Sequence, residues 1–137
     1  MAHLTEAVRL QPDYVLAHLN LGVALMQTGH TPEAIQQYSE ALRLQPDLVR
    51  AHINLGIAFG QSGRPAEAIA ELQKALRFQP DSVEAHYNLG SALLQSGRVD
   101  EAMAEYEEVL RLRPDYAAAR RTLELIRSGP PAGQAPP

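Results

Sequence analysis

Three hexapeptides, AHLNLG at 17–22, AHINLG at 51–56 and AHYNLG at 85–90, recur 34 residues apart. Each sets a histidine two residues before an asparagine, and both residue types carry chemistry. Imidazoles bind metals and move protons, but His18, His52 and His86 fall one repeat apart on separate predicted helices. They do not converge on one ion, so they read as half-buried packing residues between helices. An amide offers a donor and an acceptor, the same two groups a peptide backbone repeats along its length. Asn costs a helix about 0.5 kcal/mol relative to Ala, and three such costs in one column ask for a compensating role. Gln27, Gln61 and Gln95 follow the asparagines by seven residues, two turns along the same helix side. Nothing in the chain makes a nucleophile–base–orienter set, a phosphate loop or an HExxH motif. The glycines of GIAFG (56–60) sit inside a predicted helix with no strand before them. Tyr38, Leu72 and Tyr106 form a core column, and Glu105, Glu107 and Glu108 a solvated convex face. The chain reads as a non-enzyme with no cofactor and no metal.

The elements that position these amides come in repeats. Units 15–48, 49–82 and 83–116 are each 34 residues long, align without insertion, and share 15 identical columns. Each unit reads as two helices. In the first, Ala17, Leu21, Ala24 and Leu25 form an apolar stripe, and Gly29 supplies a left-handed stop. The second opens at Thr31-Pro32-Glu33, with Thr31 as the cap, proline at the first helical position and an early acid. It buries Ala34, Ile35, Tyr38, Ala41 and Leu42, and ends at Pro46. Asp47 is placed to cap the next first helix, while Gly22 and Ala41 allow close helix approach.

Leu21, Gly22, Leu25, Ala34, Tyr38, Ala41 and Pro46, with their counterparts one and two units on, resemble the tetratricopeptide repeat family across 15–116. The three histidines stand where that family often has a large aromatic. With the AHxNLG wording, the chain resembles the repeat region of O-linked N-acetylglucosamine transferases and bacterial proteins with similar repeats. The resemblance implies an all-α fold, a right-handed α–α superhelix of antiparallel helix pairs whose first helices line a concave face. Residues 1–14 match only the second helix of an incomplete repeat. Residues 117–128 match a first helix that caps the array, with Glu124 in the glycine column and an outer side of Arg120, Arg121, Glu124 and Arg127. Residues 129–137 are Pro- and Gly-rich and read as a disordered tail.

A solenoid works through its concave face. The candidate contacts there are Leu16, Leu19, Asn20, Val23 and Gln27 in unit one. Unit two contributes Arg50, Ile53, Asn54, Ile57 and Gln61, and unit three Tyr87, Asn88, Ser91 and Gln95. The amide ladders and the apolar patches between them suit an extended, largely uncharged peptide. Arg50 is the one cation in these columns, which argues against a grip on a C-terminal carboxylate. Net charge is −4 with a pI near 5.7, which disfavours nucleic acid and anionic lipid. No apolar run approaches the ~20 residues a membrane span needs, and the chain holds no Cys. Eleven Arg against one Lys read as the bias of a GC-rich bacterial genome. The start lacks a secretory layout, so a cytoplasmic home is expected, or a periplasmic one within a longer chain. Two further readings stand beside the scaffold: a substrate-selecting segment of a larger enzyme such as a glycosyltransferase, and self-assembly through an uncovered Leu4/Ala7/Val8 face.

Overall fold

The computed structural model describes residues 14–129. The predicted partial helix of 1–14 up to Asp13, the Leu4/Ala7/Val8 face and the tail from Pro130 lie outside the described residues. Within them the chain forms seven helices and no strand: α1 Val15–Gln27, α2 Thr31–Leu44, α3 Val49–Gln61, α4 Pro65–Phe78, α5 Val83–Gln95, α6 Val99–Leu112 and α7 Ala117–Ser128. Successive helices pack in chain order, and α3 also touches both α1 and α5. The first helices therefore form one layer and the second helices another.

The turns explain why each pair folds back on itself. Gly29, Gly63 and Gly97 all have positive φ, near 79°, 72° and 76°. There the amide of the next residue reaches back to the last turn, as His30 N–H does to the Leu25 carbonyl at 2.8 Å. This is the Schellman closure that a glycine permits. Prolines then stand in the first turns of α2 and α4.

Two expected caps are not made. α2 begins after His30 with no side-chain cap, because Thr31 already lies inside the helix. α3 begins after Leu48, also uncapped; Asp47 sits one residue too early, in the turn. The capping column holds Leu48, Ser82 and Tyr116, and only Ser82 caps, its Oγ accepting from the Ala85 amide at 3.1 Å.

Close approach within each pair is enforced at one column. A Cβ added at Gly22 would lie 2.5 Å from Tyr38 Cε1, at Gly56 2.7 Å from Leu72 Cγ, and at Gly90 2.9 Å from Tyr106 Cε1. Glycine and large partner thus form a matched set, with Tyr38, Leu72 and Tyr106 essentially buried. In α7 the column holds Glu124, exposed, while Ala119 and Leu123 bury the inner side against α6.

Candidate functional site

The asparagine column lies on α1, α3 and α5, with Asn20 exposed and Asn54 and Asn88 half-buried. One shallow pocket between α1 and α3 is lined by Val23, Met26, Gln27, Tyr38, Asn54, Ile57 and Gln61. A second, between α3 and α5, is lined by residues including Ile57, Gln61, Leu72, Asn88, Ser91 and Gln95. Ile57 and Gln61 belong to both, so the two pockets run on into each other. A third hollow, lined by Val83, Glu84, Tyr87, Asn88, Arg113 and Tyr116, continues from Asn88.

The amides are not equivalent. Asn20 is exposed, and neither its side chain nor that of Asn54 makes a hydrogen bond among the described residues. Asn88 donates from Nδ2 to the Glu84 carbonyl at 2.9 Å, leaving its own oxygen as an acceptor. Gln27 and Gln61 are exposed. Gln95 crosses to the preceding unit, its Nε2 donating to the Gly60 carbonyl at 3.2 Å. Where units one and three have Met26 and Leu94, Gly60 has no side chain to block that carbonyl.

Two residues placed on the groove by sequence are buried: Leu19 is 0% and Ile53 4% exposed. The reason is the width of the buried arc. α3 buries Ala51, His52, Ile53, Leu55, Gly56, Ala58 and Phe59, more than one stripe, because neighbours pack on several of its sides. Leu16 and Arg50 are exposed, whereas Val23 and Ile57 are half-buried in the pocket walls. Tyr87, in the same column as Leu19 and Ile53, remains partly open. Its ring lies 5.7 Å from Tyr106 and 5.2 Å from Tyr116.

Ser91 donates to the Tyr87 carbonyl at 3.2 Å and lies 3.1 Å from the Tyr106 hydroxyl. Burial pushes the Tyr106 phenol up, against the opposing pull of Ser91, and pushes Tyr38 up to about 12. Both are neutral hydrogen-bonding groups at physiological pH. Tyr38, Leu72, Arg113 and Tyr116 are wall residues that the one-helix view of the sequence missed. For Tyr38 and Leu72 the signal was the recurrence of large side chains in one second-helix column; Tyr116 stands in a column that also holds Ser82 and gave none.

The histidines occupy the opposite side of the same helices. His52 Nε2 donates to the Pro46 carbonyl at 2.7 Å, and its Nδ1 faces Glu71 at 2.8 Å. His86 repeats this with Pro80 at 2.7 Å and Glu105 at 2.7 Å. His18 faces Gln37 at 2.9 Å. In α7 the column becomes Arg120, whose guanidinium takes the Pro114 carbonyl. His52 and His86 thus tie their first helices to the end of the preceding unit and to their own second helices. His18 and His52 are more buried than expected, 4% and 5% exposed.

The acidic residues read as a solvated face are engaged as well. Glu105 pairs with His86, Glu107 with Arg127 of the cap at 3.0 Å, and Glu108 with Arg111. Burial raises the Glu71 carboxyl, but hydrogen bonds from His52 and Lys74 outweigh it and hold the group below its ordinary value. Among the described residues, no group of three or more His, Asp or Glu is arranged to hold a metal ion, and no helix is long and apolar enough to cross a membrane.

Comparison with known proteins places this geometry. A tetratricopeptide repeat family model matches residues 53–117, and a TPR repeat model matches 24–63. No curated protein matches the sequence. Among solved structures, MamA superposes with a TM-score of 0.88 at 25% identity, over 92% of this chain and 74% of MamA. A Thermobaculum terrenum O-GlcNAc transferase mutant aligns with a TM-score of 0.75 at 29% identity, over 80% of this chain but 21% of the transferase. The first TPR of Spaghetti (RPAP3), solved bound to the HSP90 peptide SRMEEVD, gives 0.81 at 24% identity, over 83% of this chain and 90% of that one. That last likeness is one of fold alone.

Proposed function

Because the chain belongs to the tetratricopeptide repeat family, whose repeats are generally non-catalytic interaction modules, we propose that it is a scaffold holding an extended, largely uncharged peptide along α1, α3 and α5. One observation carries this reading. Asn54 and Asn88 open into adjoining pockets that share Ile57 and Gln61, so amides alternate with apolar wall along one path. A peptide laid there meets hydrogen-bonding groups at intervals and drops side chains between them. Asn20, Asn54 and Asn88 hold the backbone, with Gln27 and Gln61 alongside. Leu16, Val23, Arg50, Ile57, Tyr87 and Ser91 set which side chains are accepted. Gln95, which braces Gly60, and the buried Leu19 and Ile53 act through the shape of the groove.

A peptide selected from a random display library, labelled and titrated by fluorescence anisotropy, tests the proposal. Asn20→Ala/Asn54→Ala/Asn88→Ala is expected to bind it about tenfold more weakly or worse, since each lost hydrogen bond is worth about 0.5–1.5 kcal/mol. Equal affinity in the triple variant sinks the ladder. A second reading, a recruiting segment of a larger enzyme, draws on the likeness to the O-GlcNAc transferase, of which this chain spans about a fifth. A catalytic domain beyond either end of the full-length gene product favours it.

A further inference from the structure

A cleft of about 560 Å³ opens between the two second helices α2 and α4. It shares no lining residue with the groove. His52 lines it and Asn54 lines the groove; two residues along a helix turn the side chain by about 200°, so the openings lie on opposite sides of α3. Its floor is apolar, with Leu42, Leu55 and Phe78, and its rim carries Lys74 and Arg77. Phe78 is 53% exposed, and its ring stacks on His52 with centroids 5.9 Å apart.

Unit two departs here from its neighbours in charge. In units one and three the last-turn arginine of the second helix is neutralised by a glutamate three residues earlier, Arg43 by Glu40 and Arg111 by Glu108. The same position in unit two is Lys74, the only lysine of the chain. Arg77 therefore makes no ion pair among the described residues. Lys74 turns instead to Glu71 Oε1 at 3.0 Å, and Glu71 already uses Oε2 on His52 at 2.8 Å. The one acid in the cleft is fully engaged, and two cations stand over an exposed aromatic floor. Units one and three also carry Leu44 and Leu112 where unit two has Phe78.

We infer that this cleft is a second docking site for a protein partner, taking a peptide segment in which a bulky apolar side chain adjoins a carboxylate. The apolar side chain lies over Phe78, Leu42 and Leu55, and the carboxylate takes the place at Arg77 that Glu40 and Glu108 fill in the other units. Charge complementarity selects this occupant: an acidic segment is attracted to the rim, and a basic one is repelled by it.

The test is an NMR titration of the ¹⁵N-labelled full chain with an acetylated, amidated peptide Gly-Asp-Phe-Asp-Gly. Saturable shifts are expected at the amides of Ser39, Leu42 and Phe78, with a dissociation constant on the order of 1 mM. Replacing Asp by Asn in the probe, or Phe by Ala, is expected to weaken binding by roughly fivefold or more. Lys74→Glu restores the residue of units one and three, so it is compatible with the fold, and is expected to cost roughly fivefold in probe binding with only a small drop in melting temperature from the lost Glu71 pair. Phe78→Leu, likewise native to the other units, is expected to weaken the Phe-containing probe. Asn54→Ala/Asn88→Ala is expected to leave the titration unaltered, which separates this site from the groove. Wild-type affinity in Lys74→Glu, absence of shifts at several-millimolar probe, or shifts confined to Gln61 and Asn88 would overturn the inference.

Discussion

The histidine column and the asparagine column stand two residues apart on the same helices, and they do opposite things. His52 and His86 bond at both ring nitrogens, joining three segments across the boundary between units. The side chains of Asn20 and Asn54 make no hydrogen bond among the described residues, and that of Asn88 makes one to its own helix. Both columns are identical in all three units. Recurrence inside one chain therefore has two meanings: a joint that every boundary needs, or a surface presented at every step. What each side chain bonds to separates the two.

Breaking the joint is expected to give the largest effect. His52→Ala removes a buried ring and strands the Pro46 carbonyl and Glu71. It should cost about 3 kcal/mol in urea unfolding, while Asn54→Ala, on the same helix, costs nothing measurable. A similar loss in both variants would erase the distinction between the columns.

Packing behind the columns comes next. Gly56→Ala would place a Cβ 2.7 Å from Leu72 Cγ. Overpacking costs about 1–3 kcal/mol, against a gain of up to ~1 kcal/mol from helix propensity. A net loss of about 1 kcal/mol is expected, relieved by Leu72→Ala in the same chain. Additive losses in the double variant would show that the two residues are not a matched pair.

Acid sharpens the contrast. An unfolded glutamate titrates near pH 4.3, and Glu71 is held below that in the fold. Its stabilisation is therefore complete above about pH 5 and disappears as pH falls through the folded value. Glu71→Gln should melt below the wild type at pH 7, and the gap should close as the pH falls through the folded value of Glu71. Glu40, Glu67, Glu101 and Glu108, lowered by hydrogen bonds from arginines, leave the variant with a residual acid slope. A gap that does not narrow in acid would assign the loss to packing instead.

The smallest effect on stability belongs to the surface column. Asn20→Ala/Asn54→Ala/Asn88→Ala should keep or slightly raise the melting temperature in a calorimetric scan, each site gaining up to ~0.5 kcal/mol of helix propensity. A clear loss would move the asparagines to the structural side.

Much of the fold was legible because it depends on short-range chemistry. Gly29, Gly63 and Gly97 mark reversals, prolines mark helix starts and ends, and the 3.6-residue stripe of Ala17, Leu21 and Leu25 finds the core. Capping was less legible: Asp47 and Thr31 have the right chemistry but lie one residue from the position that uses it. In the groove, the open placement of Asn20, Asn54 and the glutamines follows from helical spacing. The burial of Leu19 and Ile53 does not, since it depends on how many neighbours a helix acquires.

From sequence alone came the period, the helix pairs, their reversals and the identity of the two polar columns, because each is set by residues within one turn or one repeat of each other. The tertiary structure decided the partners: His52 with Pro46 and Glu71, Gln95 with Gly60, and the unpaired Arg77 above Phe78. Those depend on how far one unit rotates against the next. That rotation is set by the summed packing of α3 on α1 and α2 and of α5 on α3 and α4, and no single segment contains it.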